Sequence, residues 1–305
     1  MPAPSDTSPS LRSPRYWPSR LALALVRGVA RLPLPALDRL GRVLGALAKA
    51  LLSMRRRVAE RNLALCLPGW SEADRRALLA ANLRDAGRML VEFALAWFGS
   101  DDAIARIPCQ IDGLEHLERA RAQGRGVLLV GGHFSHLELC ARLVSRQIRI
   151  AGMYRTMDDP VFDQAVLAAR LRYADAMFTK DELRATVKYL KAGGTVWYAP
   201  DQDMRGKDAV FVPFFGIPAA TITATHHLAR LSGALVIPFF HRRDTHGQYF
   251  LRLEAPLADF PSGDVIADTA RVNEAVEAMV REAPDQYFWL HKRFKTRPPG
   301  EPAVY

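Results

Sequence analysis

From Gly124 onward the chain consists of short apolar runs set between glycines and polar turns. This pattern restricts the possible fold more than any other feature. Gly126-Val-Leu-Leu-Val-Gly131 is the clearest case: four apolar residues with a glycine at each end. It is too short for a helix and has no polar face, as a strand buried on both sides requires. Similar runs follow at Ile148–Met153, Thr195–Ala199, Val210–Phe214, Ala234–Phe240 and Tyr249–Leu253. Between them lie stretches with helical periodicity: Leu137–Arg146, Val161–Tyr173, Glu182–Lys191, Thr221–Ser232 and Thr269–Glu282. Strands alternating with helices of this length predict an α/β fold, a mainly parallel mixed sheet flanked by helices.

Residues from about 15 to 122 read instead as helices. Ser71-Glu-Ala-Asp74 is a capping box with Asp in place of Glu, and it opens the apolar series Leu78, Leu79, Leu83, Met89, Leu90 and Phe93. Leu67-Pro-Gly-Trp70 is the turn before it. Earlier, Leu21 to Leu52 is rich in Leu, Val and Ala but is interrupted by Arg27, Arg31, Asp38, Arg39 and Arg42. A spanning helix would bury Arg27 and Arg31 at about 2.5–3.5 kcal/mol each. A pair of interfacial helices, apolar side toward lipid and arginines toward phosphates, fits this pattern better; a soluble amphipathic helix packed on the core is the rival reading. Arg55-Arg-Arg57 and Arg61 follow directly and would add attraction to an anionic leaflet. The first twenty residues are rich in Pro and Ser, and they suggest no secretory signal.

Charge narrows the partners. Against 32 Asp and Glu stand 42 Lys and Arg, a formal charge of +10. Such an excess suits nucleic acid, an anionic membrane or a phosphorylated substrate, and composition alone does not choose among them. Cys66, Cys109 and Cys140 are scattered and odd in number, without CxxC spacing. They indicate neither a disulfide framework nor a zinc site, and they fit a reducing environment.

In open α/β sheets chemistry gathers at the carboxyl ends of the strands. Immediately after the first strand comes Gly131-Gly-His133-Phe-Ser-His136-Leu-Glu138. The glycines allow a tight turn, His133 can take a proton near neutral pH, and Glu138 can orient it. Positions five apart on a helix point about 140° apart, so the two can meet only if His133 sits in the turn and Glu138 in the first helical turns. A metal reading of His133, His136 and Glu138 is disfavoured, because two imidazoles share a helical face at the His-x-x-x-His spacing. Asp201 ends another strand, in Val196-Trp-Tyr-Ala-Pro-Asp201. Arg170 heads Arg170-Leu-Arg172 in a helix that starts near Pro160. From the residues alone, Asp201 is a loop-ordering acid and Arg170 a surface arginine or an anion clamp. No Gly-x-Ser-x-Gly elbow occurs, so no serine nucleophile is indicated.

Taken together, these segments resemble the lipid A biosynthesis lauroyl/myristoyl acyltransferase family, the late acyltransferases that act on Kdo-bearing lipid A precursors. The resemblance runs from Pro14-Arg-Tyr-Trp17 to Tyr305. It includes Arg61-Asn-Leu-Ala-Leu-Cys66, Gly131-Gly-His-Phe134, Val210-Phe-Val-Pro-Phe214 and the ending Pro284-Asp-Gln-Tyr-Phe-Trp-Leu-His-Lys-Arg-Phe-Lys-Thr-Arg-Pro298. It implies a glycerophosphate-acyltransferase-like fold and transfer of a fatty acyl chain from acyl-acyl carrier protein to an acyl-chain hydroxyl of the lipid precursor. The same His motif leaves open another lipid acceptor, such as a glycerophosphate or ornithine lipid. By the resemblance His133 is the base, Glu138 its orienting partner, and Arg170 and Asp201 are substrate or transition-state contacts. Backbone N–H groups of the glycine turn are expected to hold the oxyanion. No metal or other cofactor is implied, and no nucleic-acid motif accompanies the basic run at Lys292, Arg293, Lys295 and Arg297, which suits a lipid headgroup surface. The expected organisation is a disordered tail over 1–14, membrane-associating helices over 15–57 and an acyltransferase domain over 58–305, on the cytoplasmic face of a bacterial inner membrane.

Overall fold

In a computed structural model, residues 13–51 and 53–305 are described; most of the tail expected over 1–14 lies outside them. A short 3-10 turn, Pro14–Tyr16, leads into helices α1 (Trp17–Val29), α2 (Leu34–Leu51), α3 (Ser53–Cys66), α4 (Glu72–Phe98) and α5 (Asp101–Ala105). The sheet region follows as β1 (Cys109–Asp112), α6 (Leu114–Ala122), β2 (Val127–Val130), α7 (Leu137–Val144), β3 (Ala151–Tyr154), α8 (Pro160–Arg170), β4 (Met177–Thr179), α9 (Leu183–Lys191) and β5 (Thr195–Tyr198). The chain ends with β6 (Ala209–Phe214), β7 (Ile217–Ile222), α10 (Ala224–Ser232), β8 (Leu235–Arg243), β9 (Tyr249–Leu253), α11 (Val265–Glu282) and an irregular segment to Tyr305.

Seven strands form one sheet in the order β1-β9-β8-β2-β5-β3-β4. Every pairing in it is parallel except β8 with β9. The expected mainly parallel mixed sheet flanked by helices is what the chain forms. Val127 and Leu129 of β2 face a cluster with Leu139 and Leu143 of α7 and Leu95 of α4. Leu128 and Val130 face the opposite cluster, with Leu190 of α9 and Leu228 of α10. All four residues of β2 are therefore buried, which explains why the strand has no polar face. A third cluster joins α3, α4, Phe214 and the C-terminal Trp289 and Phe294.

Three strands were not expected. β1 lies inside the region read as helical; its Cys109-Gln-Ile-Asp112 is a half-exposed edge with only two apolar residues. β4 is three residues long. β7 takes Thr221 and Ile222, read above as the start of a helix that begins instead at Ala224. The reason is local: Phe215 and Gly216 both have positive φ, 53° and 76°, and close a two-residue hairpin between β6 and β7.

The amino-terminal helices are built onto this body. α4 starts as expected, with Ser71 Oγ accepting from the Asp74 N–H at 3.1 Å. α2 crosses α4 at glycines: a Cβ on Gly87 would stand 2.1 Å from Gly45 N and 2.4 Å from Gly41 O. Backbone contact this close leaves no room for any side chain. Leu37 joins the main core, with Val26, Val29, Leu40 and Leu44 packed against it. The opposite faces leave Trp17, Leu21, Leu25, Leu32, Val43 and Leu47 exposed. Among the described residues no helix is long and apolar enough to cross a membrane.

Candidate active site

The carboxyl ends of β2 and β5 lie side by side, because Val130 pairs with Tyr198. The turn after β2 carries His133, and the segment after β5 carries Asp201. Gly131 lets the chain leave the strand: a Cβ there would meet the Phe239 carbonyl at 2.7 Å. The C-terminal segment then pins the turn from the other side. Phe288 N–H donates to the His133 carbonyl at 2.9 Å, and Ser135 N–H donates to the Gln286 carbonyl at 2.9 Å.

Asp201 holds His133 with both carboxylate oxygens. Oδ1 is 2.6 Å from His133 Nδ1, and Oδ2 accepts the His133 backbone N–H at 2.9 Å. With Nδ1 facing a carboxylate, the neutral ring carries its proton there, and Nε2 is left with a lone pair. Nε2 has no hydrogen-bond partner among the described residues, and the side chain is 30% exposed. Trp197 meets the imidazole edge-on, 6.4 Å between centroids, and limits its rotation. Burial alone would push Asp201 up, but the imidazole's charge and the two hydrogen bonds outweigh it and hold the acid at about 2. Burial would likewise depress His133, yet the Asp201 charge raises it above its ordinary value.

Glu138 is not the partner of this histidine. It sits in the first turn of α7 and is saturated by other donors. Trp97 Nε1–H donates at 2.7 Å, Tyr173 OH at 3.3 Å and Arg170 Nε at 3.2 Å, with Arg170 Nη2 closing a bidentate pair. The orienting role expected of Glu138 thus falls geometrically to Asp201. A five-residue spacing could not reveal this, because the true partner is 68 residues away on another strand. Arg170, at the end of α8, is only 17% exposed in its side chain, and its Nη1 has no partner among the described residues. It is neither a surface arginine nor in contact with the His133–Asp201 pair.

His136, three residues after His133, is fully buried. Its Nδ1 is 2.6 Å from Glu92 Oε2, and its Nε2 is 3.4 Å from Asp85 Oδ2. Tyr249 OH donates to Glu92 at 2.7 Å, and Ser135 Oγ donates to Asp85. Burial opposes the charged imidazole, but Glu92 and Asp85 raise it above its ordinary value. This cluster was not anticipated, although a signal existed: Asp85 and Glu92 are seven apart, two acids on one face of a long helix that also buries leucines.

His133 opens onto a small cavity also lined by Asp201, Tyr287, His291 and Arg293. The two arginines of the basic run expected as a headgroup surface are turned onto the protein, whereas Lys295 is exposed. Phe294 is fully buried and Arg293 nearly so, its guanidinium donating to the Ala220 carbonyl at 2.8 Å and Thr221 Oγ1 at 2.6 Å. Arg297 donates to the Pro218 carbonyl at 2.7 Å and pairs with Glu301. Among the described residues, no group of His, Cys, Asp and Glu has the arrangement of a metal site.

The chain can be set beside known proteins on this geometry. Residues 5–296 match the family described as bacterial lipid A biosynthesis acyltransferase. The chain is 42% identical to a lipid A biosynthesis lauroyltransferase of Escherichia coli (strain K12), over 98% of each chain. It is 37% identical to a palmitoleoyltransferase of lipid A biosynthesis from that organism, over 96% of this chain and 95% of the relative. With the myristoyltransferase of the same strain it shares 34% identity, over 97% and 92%. Among solved structures, a 1-acyl-sn-glycerophosphate acyltransferase from Thermotoga maritima aligns with 80% of this chain and 99% of its own. Its TM-score is 0.37 and its identity 14%, a distant likeness.

Proposed function

The chain belongs to the bacterial lipid A biosynthesis acyltransferases and is an O-acyltransferase. From that premise we propose that it moves a fatty acyl chain from acyl-acyl carrier protein to an acyl-chain hydroxyl of a Kdo-bearing lipid A precursor, with His133 as general base. The observation that carries this reading is the His133–Asp201 pair, with Nδ1 held at 2.6 Å and Nε2 free toward a cavity. A hydroxyl attacks a thioester slowly unless its proton is taken as the new bond forms, and a positioned base contributes about 10²–10⁴-fold. Nε2 takes that proton, and Asp201 stabilises the resulting imidazolium. When the C–S bond breaks, the imidazolium returns the proton to the leaving thiolate. Arg170, held in place by Glu138, offers its free Nη1 to an anionic oxygen of the substrate; an arginine restrained in this way gives up little side-chain freedom on binding.

Both substrates in this reading are acidic, which gives the +10 excess a use. The exposed apolar faces of α1 and α2, interspersed with Arg20, Arg27, Arg31, Arg39 and Arg42, suit a helix pair lying in the cytoplasmic surface of the inner membrane. The test is an in vitro assay with purified protein, a tetra-acylated Kdo-bearing precursor and acyl carrier proteins charged with chains of graded length. Mass analysis should show one added acyl group with at least one donor. No product with any donor would overturn the proposal.

A further inference from the structure

The glycine turn does not supply the oxyanion donors that a reaction of this kind needs. From Gly131 to Ser135, four of the five backbone N–H groups are already in use. Gly131 donates to the Tyr198 carbonyl, His133 to Asp201, Phe134 to the Gly132 carbonyl and Ser135 to the Gln286 carbonyl. Gly132 alone is left without a partner, and an oxyanion held in water's absence is best met by more than one donor. The missing donor must come from another wall of the cavity.

His291 stands on that wall. Its ring lines the same cavity as His133, at the opposite end of the Asp201–Asp203 loop. Asp203 backbone N–H donates to His291 Nε2 at 3.0 Å. A nitrogen that accepts cannot carry the proton, so the neutral ring is fixed with its proton on Nδ1. Nδ1 makes no hydrogen bond to the described residues and is not sealed off from solvent. The imidazole is kept neutral by its surroundings: burial, with Arg293 nearby and His133 once it is protonated, holds it below its ordinary value despite Asp201. It is therefore a donor that does not compete for the proton His133 must take, much as a neutral imidazole serves as an electrophile elsewhere.

We propose that His291 is a second catalytic residue, its Nδ1–H donating to the oxyanion that forms when the hydroxyl attacks the thioester carbonyl. The inference rests on the acyl-transfer reading above. In the addition step the hydroxyl oxygen bonds to the carbonyl carbon, its proton passes to His133 Nε2, and the C=O π pair moves onto oxygen, where Nδ1–H meets it. In collapse that pair re-forms C=O, the C–S bond breaks, and the thiolate takes the proton back from His133. His291 keeps its own proton throughout.

Asn and Gln substitutions separate this role from a purely structural one. In His291→Asn the side-chain amide lies near the position of Nδ1; in His291→Gln it reaches the position of Nε2. Steady-state kcat and KM would be measured on the full-length protein for wild type, both of these variants and His291→Ala, with unfolding midpoints alongside. The expected result is a loss of about 10²–10³ in kcat for the Ala variant with KM little changed. His291→Asn should recover at least tenfold over Ala, and His291→Gln should not. Recovery by Gln but not Asn, or by both equally, would mean that His291 only holds Asp203 in place and would overturn the proposal. An Ala variant as active as wild type would do the same. Should the Ala variant fail to fold, the contrast between Asn and Gln still decides. A wild-type enzyme with no transfer activity would instead sink the acyl-transfer reading itself, and this inference with it.

Discussion

His133 and His136 stand three residues apart in one turn, and each places Nδ1 2.6 Å from a carboxylate oxygen. Their surroundings look alike on that side and differ entirely on the other. His133 Nε2 is free at the edge of a cavity, whereas His136 Nε2 lies between Asp85 at 3.4 Å and Ser135 Oγ at 3.3 Å. A carboxylate behind an imidazole is thus not enough to make a base; the far nitrogen must be left without a partner. The same chemistry anchors the turn at one position and is available for reaction at the other.

The sharpest way to break this comparison is to remove each ring in turn. His133→Ala should cost about 10²–10⁴-fold in acyl transfer, and it should also lower the unfolding midpoint, because Asp201 stays buried with only the backbone N–H of position 133 to meet it. Measurable transfer near the wild-type rate would show that the free Nε2 is idle. His136→Ala should weigh most heavily on stability. It leaves Glu92 and Asp85 buried without their cation, a loss of about 3–5 kcal/mol of stability that denaturant unfolding would register. An unchanged midpoint would mean that the buried cluster contributes nothing.

How much of this was legible beforehand follows from the same pair. β2 was readable because both of its faces are buried and its run is unbroken apolar, and β5 because Val196, Trp197 and Tyr198 follow one another. β1 was not, because Gln110 and Asp112 point to solvent at the sheet's edge and dilute the signal. His133 was readable from its place after a strand and two glycines. Its partner was not, because spacing arguments reach a few residues along a helix, while Asp201 arrives through the parallel pairing of β2 and β5. The four singled-out residues resolve into two separate pairs, His133 with Asp201 and Arg170 with Glu138. The basic ending misled in part for a related reason: a run of Lys and Arg reads as surface, yet Arg293 is buried because the Ala220 carbonyl and the Thr221 hydroxyl of β7 accept from it.

Titration should separate the two histidines by sign. Both are raised above the ordinary histidine value of 6.5 by their carboxylates. In the proposed role of base His133 acts only when deprotonated, so kcat/KM should rise with pH and level off above its raised value. His136 contributes stability as the charged form; that contribution is complete below 6.5 and fades as pH climbs through its raised folded value. Activity per folded molecule should thus grow over the range in which stability falls. Asp201→Asn removes the charge that lifts His133, so the acidic limb of the rate profile should move to lower pH as the rate itself drops. A limb that stays in place would mean that another group sets it. On the acid side, Asp201 is held at about 2 against an ordinary 3.8, so its stabilisation is present above 3.8 and is lost as pH falls from there toward 2.

The smallest expected effect tests whether the two acids around His136 are equivalent. Glu92 makes close contacts with His136 and Tyr249 at 2.6 and 2.7 Å, whereas Asp85 reaches the ring only at 3.4 Å. Burial, and after it the Glu92 charge, push Asp85 above its ordinary value of 3.8 although His136 and Ser135 pull it down. A carboxylate raised by folding is a liability when ionised, and the liability sets in as pH rises above 3.8. An amide there still accepts from Ser135 and sheds the charge. Asp85→Asn should therefore change stability by no more than about 1 kcal/mol at neutral pH, the size of one ordinary hydrogen bond. Relative to wild type it should gain as pH rises. Glu92→Gln, which removes the closer charge, should lose several times more. Equal losses for the two variants would mean that His136 is held by both acids alike, and that distance does not distinguish the partners of a buried imidazole.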